Sequence, residues 1–133
     1  MFKGRTILER VNANTYKLNS TLSFTTNNLC VKVKRGLPTD GASITKLAWS
    51  IIGSPFNSKY VGSAIIHDGL YASNLVTRAH ADRIFLEMLK HNGVGLIKRK
   101  VMYHMVKLFG GLAYKRSPEE IEASSKFVEV KLL

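Results

Sequence analysis

The sequence predicts an α+β fold: an N-terminal antiparallel β-ribbon followed by a three- to four-helix core that contains an antiparallel helix pair. Three observations carry this. The first 35 residues break into short segments with two-residue alternation. After Asn57 the apolar residues recur at helical spacing between capping residues. The stretch Asn74 to Val76 is short enough that the helices on either side of it must run antiparallel.

In the first part, Thr6 to Glu9, Tyr16 to Leu18 and Leu22 to Thr25 are short strand segments separated by Asn-rich turns. Leu29, Val31 and Val33 alternate with Cys30, Lys32 and Lys34, as in a strand with one wet face. Gly36 to Ser43 reads as a loop from its Gly and Pro punctuation, and Leu47 to Ile52 as a helical turn around Trp49. Ser58 is placed to cap a helix from about Lys59 to Ser73, and Thr77 to cap a second from about Arg78 to His91, closed by Asn92-Gly93. A third runs from about Leu96 to Tyr114, with a weak point at Gly110-Gly111. Ser117-Pro118-Glu119-Glu120 combines a cap, a proline in the first turn and a glutamate at the third position, so it starts a short fourth helix; an edge strand is expected at the end.

Length and composition fit one domain over 1–133, with a β-rich part at 1–35 and a helical part at 57–126. Hydrophobic residues make up 45% and charged residues 22%, enough for a core and too few charges for a disordered chain. Twenty Lys and Arg stand against nine Asp and Glu, a net charge of +11. A field of that sign favours an anionic partner: lipid, DNA or an acidic protein surface. Cys30 is the single cysteine, which rules out an internal disulfide and leaves no cysteine cluster for a metal. No run is long and apolar enough for a transmembrane segment, and Met1 to Arg10 lacks the apolar centre of a signal peptide, so a reducing cytoplasm is the expected setting.

The chemistry concentrates on the helix pair. The first long helix carries Ala64-Ile65-Ile66-His67-Asp68-Gly69-Leu70-Tyr71, with His67 and Tyr71 four apart on one face. On the second, Asp82 lies in line with Phe85, Leu86 and Leu89, which sets a carboxylate on an apolar stripe where it needs a partner. Positions equidistant from the turn of a helical hairpin face one another, which matches His67 with Asp82, Ala64 with Phe85 and Tyr71 with Arg78. A histidine held by a buried aspartate is the core of a general-base device, since the carboxylate fixes the tautomer and stabilises the protonated ring. The same constellation also serves as a structural hydrogen-bond network. Asp68 points elsewhere, where with Asp40 and the carbonyls around Gly41 it would offer oxygen ligands suited to calcium.

These residues also carry two resemblances. From about Val33 to Gly110 the chain resembles a phage and prophage family of unknown function. The matching residues are Gly36-Leu37-Pro38-Thr39-Asp40-Gly41-Ala42-Ser43-Ile44, Trp49, Ala64 through Tyr71, Ala81-Asp82-Arg83-Ile84-Phe85, Gly93-Val94, and Met102-Tyr103 with Val106, Phe109 and Gly110. The chain departs from that pattern at Pro38 and Thr45. Locally, His67-Asp68-Gly69-Leu70-Tyr71 and Ala81-Asp82-Arg83 are similar to the catalytic helices of secreted phospholipase A2. That resemblance implies His67 as the base that activates water, Asp82 and Tyr71 as its support, and Asp68 as a calcium ligand. It extends neither to the disulfide lattice nor to the glycine-rich calcium loop, for which Pro38 to Ser43 is the only substitute on offer.

The third helix adds Lys98, Arg99, Lys100 and Lys107 as a candidate anion-binding face, with Leu96, Ile97, Val101, Met105, Leu108, Phe109 and Leu112 expected to fill its other side. Two functions from different classes fit these features. One is a phage-encoded hydrolase of ester bonds at anionic lipid, with a phospholipase-A2-like site. The other is a non-enzymatic virion or accessory protein, whose His/Asp network is structural and whose basic face meets DNA, a homo-oligomer partner or a virion neighbour. In both, the expected location is the host cytoplasm or the virion.

Overall fold

The computed structural model of the chain describes residues 1–5, 7–11, 16–39, 61–115 and 117–133. Ser58, Trp49, Asp40 and Gly41 lie outside them. The described strands are β1 (Phe2–Lys3), β2 (Leu8–Arg10), β3 (Tyr16–Leu18), β4 (Leu22–Thr25), β5 (Leu29–Val33), β6 (Pro38–Thr39) and, at the far end of the chain, β7 (Val128–Leu132). Between β6 and β7 come helices α1 (Val61–Ser73), α2 (Arg78–His91), α3 (Leu96–Phe109), the one-turn α4 (Gly111–Tyr114) and α5 (Pro118–Ser125). The architecture is α+β, with antiparallel strands first and the helices after them.

The strands form two sheets rather than one ribbon. One has the order β1-β4-β5-β7 and the other β2-β3-β6. The β4–β5 hairpin pairs Leu22 with Val33 and Phe24 with Val31, so each cross-strand pair on that face is apolar and buried. β7 closes the other side of β5, pairing Val128 with Val33 and Val130 with Val31. Pro38 and Thr39 belong to a strand, not to the expected loop: Lys17 faces Pro38 and Tyr16 faces Thr39. Proline is tolerated there because β6 is an edge with one neighbour among the described strands.

α1 runs through the middle. Every residue from Ser63 to Ser73 is buried, polar His67 and Asp68 included, so the helix is covered on all sides. It lies close on the large sheet because Gly69 has no side chain: a Cβ there would stand 3.2 Å from Val33 Cγ2 and 3.3 Å from Leu37 Cδ2. α2 packs on its other side through Ala81, Ile84, Phe85, Met88 and Leu89. α2 begins where Thr77 Oγ1 accepts from the His80 amide at 3.2 Å. It ends at Asn92-Gly93, with Gly93 at φ 77°. The Ser117 capping box on α5 is complete.

α3 faces differently from the expectation. Among the described side chains Met102 and Val106 are buried, one turn apart, and Met105 packs on the core in part, as expected, while Leu96, Ile97, Val101 and Leu108 are exposed. Apolar residues occupy both sides of this helix, so the sequence offered two periods.

Candidate active site at the α1–α2 pair

The turn between α1 and α2 fixes the register of the pair. Asn74 adopts φ 53°, a left-handed conformation that asparagine accepts more readily than most residues. Its side-chain amide donates to the Tyr71 carbonyl at 2.5 Å and to the Tyr114 carbonyl at 3.2 Å, tying the end of α1 to α4. The chain reverses at once, and positions equidistant from the turn meet.

His67 Nε2 lies 2.8 Å from Asp82 Oδ1. The Tyr71 hydroxyl donates to the same oxygen at 2.5 Å. The His67 ring meets two others at a tilt, with centroids 4.1 Å from Tyr71 and 4.7 Å from Phe85. All three polar members are buried: Tyr71 is 1% exposed, Asp82 2% and His67 3%. Burial is the first cause that pushes the Tyr71 phenol well above its ordinary pKa; the Asp82 carboxylate that accepts its proton is the second, and the Arg78 guanidinium pulls the other way. Tyr71 is therefore a neutral donor at any physiological pH.

A second ring of residues holds this network, and most of it left no signal in the sequence. Tyr114 meets Tyr71 edge to face at 5.4 Å and donates its hydroxyl to the Val76 carbonyl at 2.8 Å. Gly110 sits against the Tyr71 hydroxyl, and a Cβ there would come within 2.7 Å of it. Arg78 donates to the carbonyls of Val106, at 3.2 Å, and of Lys107, so it clips the start of α2 to the end of α3. The hairpin register placed Arg78 opposite Tyr71; nothing in the spacing announces Tyr114, which is reached only through α4.

The remaining predicted site residues fall apart from the dyad. Asp68 is buried beside His67 in sequence and makes interactions of its own. Asp40 and Gly41 lie outside the described residues, and among those described no three His, Cys, Asp or Glu side chains gather as metal ligands. The described part thus supplies one carboxylate, Asp68, toward a calcium site. Lys98, Lys100 and Lys107 are exposed on α3, and Arg99 is half-buried, donating to the Val94 carbonyl at 3.2 Å. Among the described residues, two grooves lie between α2 and the β4–β5 turn, one of about 650 Å³ at Phe24, Thr25 and Lys90, the other of about 360 Å³ at Thr26, Asn28, His80 and Arg83; neither is lined by His67 or Asp82.

A small α+β protein with a His-Asp-Tyr network locked between two central antiparallel helices is the class these features define. The chain belongs to DUF1353, a family of proteins of unknown function, which it matches over residues 16–106. That span takes in β3 to β6, α1, α2 and most of α3, and so both helices of the network. It is similar to the uncharacterized protein y4jT of Sinorhizobium fredii (strain NBRC 101917 / NGR234), 38% identical over 96 residues, which covers 71% of this chain and 29% of that protein. It is also similar to the uncharacterized protein y4iH of the same organism, 33% identical over 72 residues, covering 54% of this chain and 30% of that protein. The chain thus spans less than a third of the length of these curated relatives. No solved structure matches it. No helix among the described residues is long and apolar enough to cross a membrane.

Proposed function

We propose that this chain is an ester hydrolase of phage or prophage origin, working with a phospholipase-A2-like site on acyl esters at anionic lipid. The observation that carries the reading is the convergence of His67 Nε2 and the Tyr71 hydroxyl on one oxygen of Asp82. It is the support that the resemblance to the phospholipase helices calls for, on the residues that match.

The chemistry follows from those contacts. Asp82 accepts from Nε2–H, so Nδ1 is the ring nitrogen that carries a lone pair. A water hydrogen-bonded to Nδ1 gives up its proton as it attacks the ester carbonyl, and Asp82 stabilises the imidazolium that forms. Tyr71 holds the carboxylate in place and spreads its charge. The tetrahedral intermediate then expels the alcohol, which takes the proton back from His67. Calcium, were it bound at Asp68, would polarise the carbonyl; the ligands expected to complete that site are Asp40 and Gly41.

A second reading rests on the burial of the network. With His67 and Asp82 only 3% and 2% exposed, the same contacts would serve a virion or accessory protein as a structural staple, in the host cytoplasm or in the particle. Fatty-acid release from phosphatidylglycerol vesicles, with calcium and with chelator, separates the two. Turnover that needs calcium and drops at least 100-fold in His67→Ala and Asp82→Asn, both folded like the wild type, supports the hydrolase. No turnover by the wild type, with both variants losing thermal stability, assigns the network to structure.

A further inference from the structure

We infer that the outward face of α3 docks this protein on an anionic bilayer. Ile97, Val101, His104 and Leu108 follow one another at spacings of four, three and four, which stacks them in one stripe. The stripe lies opposite buried Met102 and Val106, so it forms the outermost line of the helix. Ile97 is 80% exposed and Leu108 72%, the solvent exposure of lysines rather than of core formers. Lys98 flanks the stripe on one side, Lys100 and Lys107 on the other, all exposed. No carboxylate occurs anywhere in α3.

Apolar side chains along the crest with lysines on both shoulders suit an interface where hydrocarbon lies below a layer of negative headgroups. The crest enters the acyl boundary while the lysines reach the headgroups. A second copy of this chain is a poor occupant of the same face, since it would bring two sets of lysines together. The contact inferred is with the bilayer surface, made by the side chains of one helix face. The inference stands apart from the hydrolase reading, because it uses none of the α1–α2 network.

The test is flotation with vesicles in the presence of chelator, which removes any calcium-dependent contribution. Wild type should partition onto phosphatidylglycerol-rich vesicles and not onto phosphatidylcholine vesicles, and 0.5 M salt should weaken it. Ile97→Gln with Leu108→Gln, at exposed positions that leave the core intact, should bind at least tenfold more weakly, with the thermal midpoint unchanged. Lys98→Gln, Lys100→Gln and Lys107→Gln together should lose a comparable factor, at about fivefold per lysine or less. Wild type that floats yet releases no fatty acid sinks the hydrolase and leaves this docking in place, so the two readings fail separately. Wild type that stays with the unbound fraction on anionic vesicles overturns the inference and leaves an acidic protein as the candidate occupant of the face. So does a glutamine double variant that floats as well as the wild type.

Discussion

Asp82 is the residue on which the most depends, because two buried donors end on one of its oxygens. Removing the Tyr71 hydroxyl leaves a buried carboxylate with one donor fewer, and hydrogen bonds to charged groups contribute about 1.5–3 kcal/mol. Tyr71→Phe should therefore unfold at lower urea with an unchanged slope, by about that amount at pH 7. The phenol's raised pKa adds a signature that a packing defect lacks. Folded Tyr71 keeps its proton where the unfolded tyrosine begins to lose it, at its ordinary value of 10.0. Above that pH the unfolded chain binds fewer protons, so wild-type stability falls as pH rises. The advantage over Tyr71→Phe is full below pH 10 and should shrink by about 1.4 kcal/mol per pH unit above it, since the other tyrosines and lysines cancel in the difference. Urea titrations of both proteins at pH 8, 10 and 11 measure it; a constant gap would mean that the hydroxyl is not buried against a charge.

The elements differ in how far they could be read from the sequence, and the reason is locality. α2 was legible to the residue, since Thr77 and Gly93 mark its ends and its apolar positions define one stripe. The meeting of His67 and Asp82 was legible too, because a three-residue connection leaves a helical hairpin little freedom. β7 beside β5 was not, because that pairing joins residues about a hundred apart and only the finished core selects it. β6 is two residues long and contains proline, so its pairing with β3 overrides a local preference for loop. The inward side of α3 was read only in part, at Met105 and not at Leu96, Ile97, Val101 or Leu108, for want of a unique period. Gly69 shows how an element's sequence carries packing information that periodicity misses: it lets α1 approach the sheet. Gly69→Val would drive two methyls into space already filled by Val33, Leu37 and Val128. Overpacking of this kind costs about 1–3 kcal/mol. That loss should appear in the urea midpoint, and it exceeds the helix propensity a side chain regains over glycine. A neutral Gly69→Val would show that the sheet and α1 part readily.

For the molecule as a whole, the placement of charge matters more than its sum. Of the nine acidic residues, Asp68 and Asp82 are buried, and three others, Glu119, Glu120 and Glu122, sit together on α5. Among the described residues no ion pair joins them to the lysines of α3. Glu129 does its work locally: it pairs with Lys34 at 2.6 Å, which holds its carboxyl below the usual range. The net charge of +11 is thus carried by faces that repel one another at low ionic strength, and compactness works against that repulsion. Screening should relieve it. Raising salt from about 10 mM to 150 mM shortens the Debye length from about 30 Å to about 8 Å. The thermal midpoint should climb by roughly 4 °C, the equivalent of about 1 kcal/mol for a domain of this size. Phosphatidylglycerol vesicles at low salt should produce a rise of the same sign, because a bound anionic surface neutralises the field from outside. A midpoint indifferent to salt would mean that the positive faces are too far apart to repel, and the charge would then bear on what the protein meets and not on how it holds together.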